Sequence, residues 1–244
     1  SRGKRQLFGT DGIRGTFGTS PVTPNFFLKL GWAAGKVLGR SSRAKKIVIG
    51  KDTRISGYAL ESALEAGIIS AGVDVHLLGP MPTPGVAFLT RKLKADAGIV
   101  ISASHNSYED NGLKFFSREG TKLNDADEEL IERELEKPME VVGPLQLGKA
   151  FRVNDADKLY IKFVRSTVSP RVDFSRYRIV VDCANGATYR IAPRIFKDFG
   201  ANVIEVGATP DGFNINQNCG STSPSHLIQV VKDNKADIGI ALDG

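Results

Sequence analysis

Between Thr23 and Gly39 the apolar residues Phe26, Phe27, Leu30, Ala33, Ala34, Val37 and Leu38 recur at the three-and-four spacing of one helical face. A Thr-Pro pair opens that stretch as an N-cap and first-turn proline would, and a glycine closes it. Ile47-Val48-Ile49 then reads as a short buried strand. Residues 58–71 repeat the helical period, 73–78 form another strand, and the proline-rich stretch 80–84 is a turn that sets up a further short helix. At 98–101 an apolar run of strand length feeds straight into small and polar residues. Strand alternating with helix in this way predicts a parallel sheet. Farther on, 125–137 reads as an acidic helix and 138–148, where Pro, Gly and short polar residues break the period, as a linker. A second unit is expected from about Asp155, opening with a helix that carries Leu159, Tyr160, Phe163 and Val164.

The second unit repeats the first. Arg178-Ile-Val-Val-Asp182-Cys-Ala-Asn185-Gly parallels Lys46-Ile-Val-Ile-Gly50-Lys-Asp52-Thr-Arg, and Gly200-Ala-Asn-Val203 parallels Gly72-Val-Asp-Val75. Lys235-Ala-Asp-Ile-Gly-Ile240 parallels Lys94-Ala-Asp-Ala-Gly-Ile99, and each leads within a few residues to a chemically useful group, Asp243 in one case and Ser104 in the other. The expected fold is therefore α/β: two tandem repeated α/β domains, residues 1–150 and 151–244, with mixed, largely parallel sheets flanked by helices. The second copy carries an insertion over 208–225, rich in Asn, Gly and Ser.

Composition adds limits more than direction. The 244 residues include 41% apolar and 25% charged positions, ordinary for a globular chain with a real core. No apolar run approaches the ~20 residues of a membrane span, and the opening residues lack the hydrophobic region of a signal peptide, so a cytoplasmic location is expected. Two cysteines, Cys183 and Cys219, have no metal-ligand spacing and are expected to be reduced. The net charge of +6 is scattered among acids and gathers only at 40–46, which reads as a solvated helix end and loop. No nucleic-acid or membrane partner is expected. A positive excess of this kind suits an anionic small substrate equally well.

The candidate chemistry lies where the 98–101 strand ends. Ser104 is expected at the carboxyl end of that strand, with His105 and Asn106 beside it and Lys114 ten residues on, behind a turn at Asn111-Gly112. A phosphorylatable hydroxyl, an imidazole, an amide and an ammonium in so few residues suit phosphate chemistry. Read alone, Ser-His-Asn is also compatible with a polar loop whose serine caps a helix. A Ser-His-Asp hydrolase is disfavoured: Ser104 lacks the Gly-x-Ser-x-Gly frame, and His76, His105 and His226 lie in no recognisable elbow. Residues 7–15, glycine-rich, read as a loop that presents Asp11 and Arg14.

Several segments taken together resemble the α-D-phosphohexomutases, enzymes that move a phosphoryl group between the 1- and 6-positions of a hexose. They are Phe8-Gly-Thr-Asp11-Gly-Ile-Arg14-Gly15, Gly50-Lys-Asp52-Thr-Arg54, Ser102-Ala-Ser104-His105-Asn106, Asp110-Asn-Gly-Leu-Lys114, Asp182-Cys-Ala-Asn185-Gly-Ala, and Asn214-Ile-Asn216 with Cys219-Gly-Ser-Thr. Their order and spacing cover the chain from end to end. The first and last of them are similar to the branch that acts on glucosamine phosphate.

The resemblance implies that Ser104 carries a phosphoryl group at rest and passes it to a hexosamine phosphate, by way of a bisphosphate, with the product serving UDP-N-acetylglucosamine and cell-wall precursor synthesis. Arg14 would face the phosphoserine, Lys114 would shuttle the substrate hydroxyl proton, and His105 would orient the loop. One Mg²⁺ per active site would be held by Ser104, through its phosphoryl oxygens, and by Asp243, the first carboxylate of a loop of three aspartates. Only that first carboxylate is present before Gly244, so the resemblance also implies a two-domain piece, inactive alone, without the third and fourth domains that read the sugar and grip its phosphate. Sugar contacts and oligomeric state are not legible. Ser107 departs from the family, which usually has proline there; the loop loses a fixed φ and gains a donor. The alternatives are a phosphomannomutase/phosphoglucomutase and a non-catalytic phosphosugar-binding module.

Overall fold

The computed structural model describes residues 7–40 and 45–244; most of the basic cluster at 40–46 and the opening residues 1–6 lie outside the described residues. The centre of the first unit is β2 (Lys46–Lys51), whose alternation sorts side chains to the two faces of a sheet. Ile47 and Ile49 enter the core under α1 (Pro24–Leu38), α2 (Ser56–Ser70) and α4 (Asp125–Leu135), while Val48 joins the core under α3 (Thr83–Lys92). Both faces are covered, so the strand has no polar side to show. β3 (Asp74–Pro80) and β4 (Ala97–Ile101) pair with β2 in parallel, one on each side.

The helix signals act as expected. Thr23 caps α1, its hydroxyl accepting from Phe26 N at 3.2 Å, and Gly39 closes the helix with a bond to Gly35 O. No helix among the described residues is long and apolar enough to cross a membrane.

Two readings are corrected. Residues 7–15 are not wholly loop: β1 (Ile13–Thr16) puts Arg14 on a strand. Nor is Asn111-Gly112 a turn, since both residues lie within β5 (Asp110–Ser117), which pairs antiparallel with β4 on one side and with β1 on the other. The chain reverses earlier, in 102–109, so Lys114 stands directly beside Val100 on the sheet. Asn111 is fully buried and donates to Ser56 Oγ at 2.9 Å; a Cβ on Gly112 would fall 2.3 Å from Ile13 O. Packing between strands, not turn geometry, selects this Asn-Gly pair.

The stretch read as a linker is strapped to the first unit. Trp32 Nε1 donates to Glu140 O at 2.7 Å, Val142 N to Ser70 O at 3.0 Å, and Gly148 N to Ile69 O at 3.1 Å. β6 (Ala150–Arg152) then extends the first sheet beside β3, giving the order β1-β5-β4-β2-β3-β6. α5 (Ala156–Ser166) packs Leu159, Tyr160 and Ile161 into the α3 core together with Ile191 and Ile195 of α6 (Ile191–Asp198), so it bridges the two units.

In the second unit β7 (Arg178–Asp182) lies between β8 (Asn202–Val206) and β9 (Ile238–Ala241), all parallel, and α7 (Ser225–Asp233) packs beside β9 at Gly239. The internal repeat extends to backbone detail. Lys94 and Lys235 both turn through the left-handed region, at φ 53° and 48°. Two residues later Asp96 and Asp237 each receive the first N–H of the central strand on a carboxylate oxygen, from Lys46 at 3.3 Å and from Arg178 at 2.8 Å.

Two predictions follow from the packing. Gly67 of α2 meets α1 so closely that a Cβ would lie 2.0 Å from Leu28 O, whereas a Cβ on Gly57 would meet nothing nearer than Lys51 Cδ at 3.6 Å. Alanine gains about 1 kcal/mol in helix propensity at either site, but forcing the helices apart costs roughly 1–3 kcal/mol. Gly67→Ala should therefore lower the urea-unfolding free energy and Gly57→Ala should not; equal stability of the two would contradict this contact. The second concerns the thiols: burial pushes Cys183 up to about 12 and raises Cys219 as well. Both should resist iodoacetamide at pH 8 in the folded protein and react in urea, read by mass spectrometry.

Candidate active site

β4 delivers the loop 102–109 to the carboxyl edge of the first sheet, and the second unit lays its own strand ends against it. Ser104 is held at φ 55°. For a residue with a Cβ that conformation costs roughly 1–2 kcal/mol, and it persists only where the surroundings fix it. Three sets of contacts do so. Ser104 N donates to Ser102 Oγ at 3.0 Å. Arg54, 1% exposed, donates from Nη2 to Ser104 O at 3.2 Å and Asn106 O at 2.7 Å, and from Nε to Ser107 O at 3.4 Å. Asn216 of the second unit donates to Ser104 O and Asn106 O, both at 2.9 Å.

Arg54 is itself anchored by Asp52, which accepts from Arg54 N at 3.0 Å and pairs with Nη1. Burial pushes the Asp52 carboxyl up, and the Arg54 charge and the Ser102 hydroxyl pull it back. Asp52 N donates to Ile101 O at 3.1 Å, so the pair grows directly from the end of the central strand.

The Ser104 hydroxyl points across the seam and donates to Asp243 Oδ2 at 2.5 Å, joining residues 139 apart in sequence. His105 Nδ1 lies 3.5 Å from the same hydroxyl on an exposed ring. Ser104, Ser102, Asp52, Lys114 and Asp243 line one cleft of about 380 Å³, together with Met81 and Thr188 among others. Of the sequence-predicted residues, Ser104, Asp243, His105 and Lys114 are thus brought together.

Arg14 stands one strand farther out. It is opposite Gly112 on β1, on the sheet face that carries Lys114, but it lines a neighbouring cavity formed by the 7–14 segment. Its buried Nε has no hydrogen-bond partner among the described residues. His76, tilted against the Phe151 ring at 5.1 Å, and His226, exposed on α7, do not line the cleft, which leaves the hydrolase alternative without a further base.

A larger, more open cleft of about 1260 Å³ lies between α5 and α6, lined by Lys158, Lys162, Arg190 and Arg194 among others. It holds none of the candidate residues. The smaller cleft is assigned as the site because hydroxyl, ammonium and carboxylate converge there.

A family model for phosphoglucomutase/phosphomannomutase α/β/α domain I matches residues 5–141, and the model for domain II of the same family matches 158–244. The chain belongs to the phosphoglucomutase/phosphomannomutase family. Among family members it is 61% identical, over 99% of its length, to a phosphoglucosamine mutase of Legionella pneumophila (strain Corby), and 60% identical, over 98%, to one of Chromohalobacter salexigens. It covers 53% and 54% of those two proteins, so the chain spans about half the length of the curated relatives it matches. A phosphoglucomutase/phosphomannomutase family protein of Burkholderia thailandensis has a similar solved structure, with a TM-score of 0.80 and 26% identity, matched over 98% of this chain and 53% of that one.

Membership in the phosphoglucomutase/phosphomannomutase family raises the question of a metal. Ser104 Oγ and Asp243 Oδ2 are hard oxygens that already converge, and that donor chemistry suits Mg²⁺. Among the described residues no group of three His, Cys, Asp or Glu side chains stands ready for one, so these two oxygens make part of an octahedral set and not the whole. The residues fit the ion as two of its ligands.

Arg54 and Asn216 lie in segments that resemble the family, but the resemblance assigns them no role. The signal for Arg54 was there, a charge pair at Asp52 and Arg54 directly after a buried strand; for Asn216 no local signal exists, since its partners are 110 and 112 residues away. Arg54→Met should leave Asp52 buried without its partner, Ser107 O without its guanidinium donor, and Ser104 O and Asn106 O with Asn216 as remaining donor, at a cost of about 3–5 kcal/mol. Arg54→Lys should recover less than half of that, because one ammonium cannot span the pair and the loop. Urea unfolding of the three proteins checks this, and a loss below about 1 kcal/mol for Arg54→Met would contradict the clamp.

Proposed function

We propose that this chain is the phosphoserine-bearing part of a phosphoglucosamine mutase, which interconverts glucosamine 6-phosphate and glucosamine 1-phosphate. The observation that carries the reading is the Ser104 hydroxyl, held in a strained conformation 2.5 Å from Asp243 and in one cleft with Lys114. A serine that merely caps a helix needs neither that strain nor those neighbours. The high identity to two phosphoglucosamine mutases supports the choice of sugar.

In this reading Ser104 is phosphorylated at rest and donates its phosphoryl group to the 1- or 6-oxygen of a hexosamine monophosphate. The bond from phosphorus to Oγ breaks as the bond to the sugar oxygen forms, and Lys114 takes the proton of the sugar hydroxyl. The bisphosphate reorients, its other phosphoryl group returns to Ser104, and the proton goes back to the vacated sugar oxygen. Arg14, with an Nε that no group among the described residues satisfies, is set to pair with phosphoryl oxygens. His105 orients the loop from the solvent side. Asp243 and the phosphorylated Ser104 would hold Mg²⁺, which when bound neutralises charge on the phosphoryl oxygens. Most of the catalytic power is then positioning and electrostatics.

Full-length protein purified from cells should carry one phosphate, mapped by peptide mass spectrometry to Ser104. Ser104→Ala should abolish it and lower turnover of glucosamine 6-phosphate at least about 1000-fold. Phosphate reproducibly on Ser102 alone would overturn the assignment. Comparison with glucose and mannose phosphates in the same assay separates the sugar branches, and the 244-residue chain alone is expected to give no turnover.

A further inference from the structure

The motif Asn214-Ile-Asn216 has no part in the chemistry above, yet its second asparagine lies at the seam between the units. Asn216 sits between β8 and α7 at φ 59°, with its N–H donating to Ala184 O at 2.8 Å. From there Nδ2 donates to Ser104 O and Asn106 O, both at 2.9 Å. These are the two carbonyls that Arg54 Nη2 holds at 3.2 and 2.7 Å. Gly244 packs against this amide, so closely that a Cβ built on it would lie 2.6 Å from both Asn216 Nδ2 and Asn216 Oδ1. Gly244 is the neighbour of Asp243, so one amide holds the serine loop and packs against the residue next to the carboxylate that faces it.

We propose that Asn216 is a positioning residue for phosphoryl transfer, its amide acting as a clasp that ties the aim of Ser104 to the seating of the second unit. The consequence for turnover rests on the reading of Ser104 as the phosphoryl carrier; the clasp itself does not.

The geometry distinguishes the two holders of the loop. Arg54 is bound to Asp52 of the first unit, and its side-chain hydrogen bonds among the described residues all stay within that unit, so it fixes the loop's shape without reaching across the seam. Asn216 comes from the second unit and spends both of its amide hydrogens on the loop. For Ser104 to leave its left-handed conformation, the peptide that follows it must rotate, and its oxygen must then abandon donors from both units at once. The clasp thereby holds Ser104 Oγ against Asp243, although neither residue is joined to the other by a strand or helix.

Asparagine tolerates a positive φ better than most residues, so its presence could serve the backbone alone. Asn216→Gly separates the two roles, since glycine keeps the backbone conformation and removes the amide. Asn216→Asp keeps the shape and presents oxygen to both carbonyls. In the full-length protein, hydrogen exchange over 102–108 should quicken about tenfold or more in both variants, while exchange over 46–51 stays unchanged and reports an intact sheet. With glucosamine 6-phosphate, kcat should fall up to about 100-fold with KM within twofold. An Asn216→Gly protein with wild-type exchange and wild-type kcat would overturn the proposal, as would faster exchange at unchanged kcat, or a fall in kcat without any change in exchange. Should Ser104 carry no phosphate, the functional reading fails while the exchange comparison still decides whether the clasp exists.

Discussion

The arrangement of this molecule depends on one ion pair. Asp52 and Arg54 are almost completely buried, and removing two charges from water costs several kcal/mol for each ion. The cost is offset only if every remaining hydrogen-bonding position is used. Here the carboxylate takes the main-chain N–H of its own partner, and the guanidinium spends its other protons on carbonyls of the loop that carries Ser104. The pair and the loop therefore need each other. Without the loop the guanidinium is unsatisfied in the core, and without the guanidinium the loop carbonyls lose their donor from the first unit. This explains how a segment with neither helix nor strand can be held firmly at the lip of a sheet.

The sequence made the elements around that loop legible wherever burial imposes a period. Helices α1 and α2 and the three central parallel strands could be read because each is covered by a core whose spacing is written in apolar residues. The antiparallel pair β1 and β5 escaped for a physical reason. Asn111-Gly112 has the composition of a tight turn, and only the strand beside it reveals that the amide is buried against Ser56 and that the glycine is there to clear Ile13 O. Alternation in Leu113, Lys114, Phe115 and Phe116 was the available signal, outweighed by a dipeptide with stronger local meaning. The segment 138–148 has the polar, proline-bearing composition of a linker, and only the structure shows that its main chain is bonded to Trp32, Ile69 and Ser70.

At the site, Ser104 and Asp243 could be named in advance because strand ends and the repeat pointed to them, and Lys114 because it follows Ser104 closely in a segment that resembles the family. Their mutual distance could not. It is set by how the second unit seats on the first, through the hydroxyl of Thr53 on Asn185 O, Ile55 N on Gly212 O at 2.9 Å, and the helix α5 that shares a core with both. Such contacts join residues far apart along the chain and leave no mark on local pattern.

The two copies of the repeat also differ in how they finish. In the first, the strand β4 is flanked by β5, which in turn is flanked by β1, so its backbone groups are all paired within the sheet. In the second, the corresponding strand β9 has a neighbour on one side only among the described residues, and Ile238 on it is 42% exposed. Among the described residues the aim of Asp243 is therefore carried by the parallel ladder that β7 makes with Ile238–Ala241 and by Leu242 N, which donates to Asp182 O at 2.9 Å.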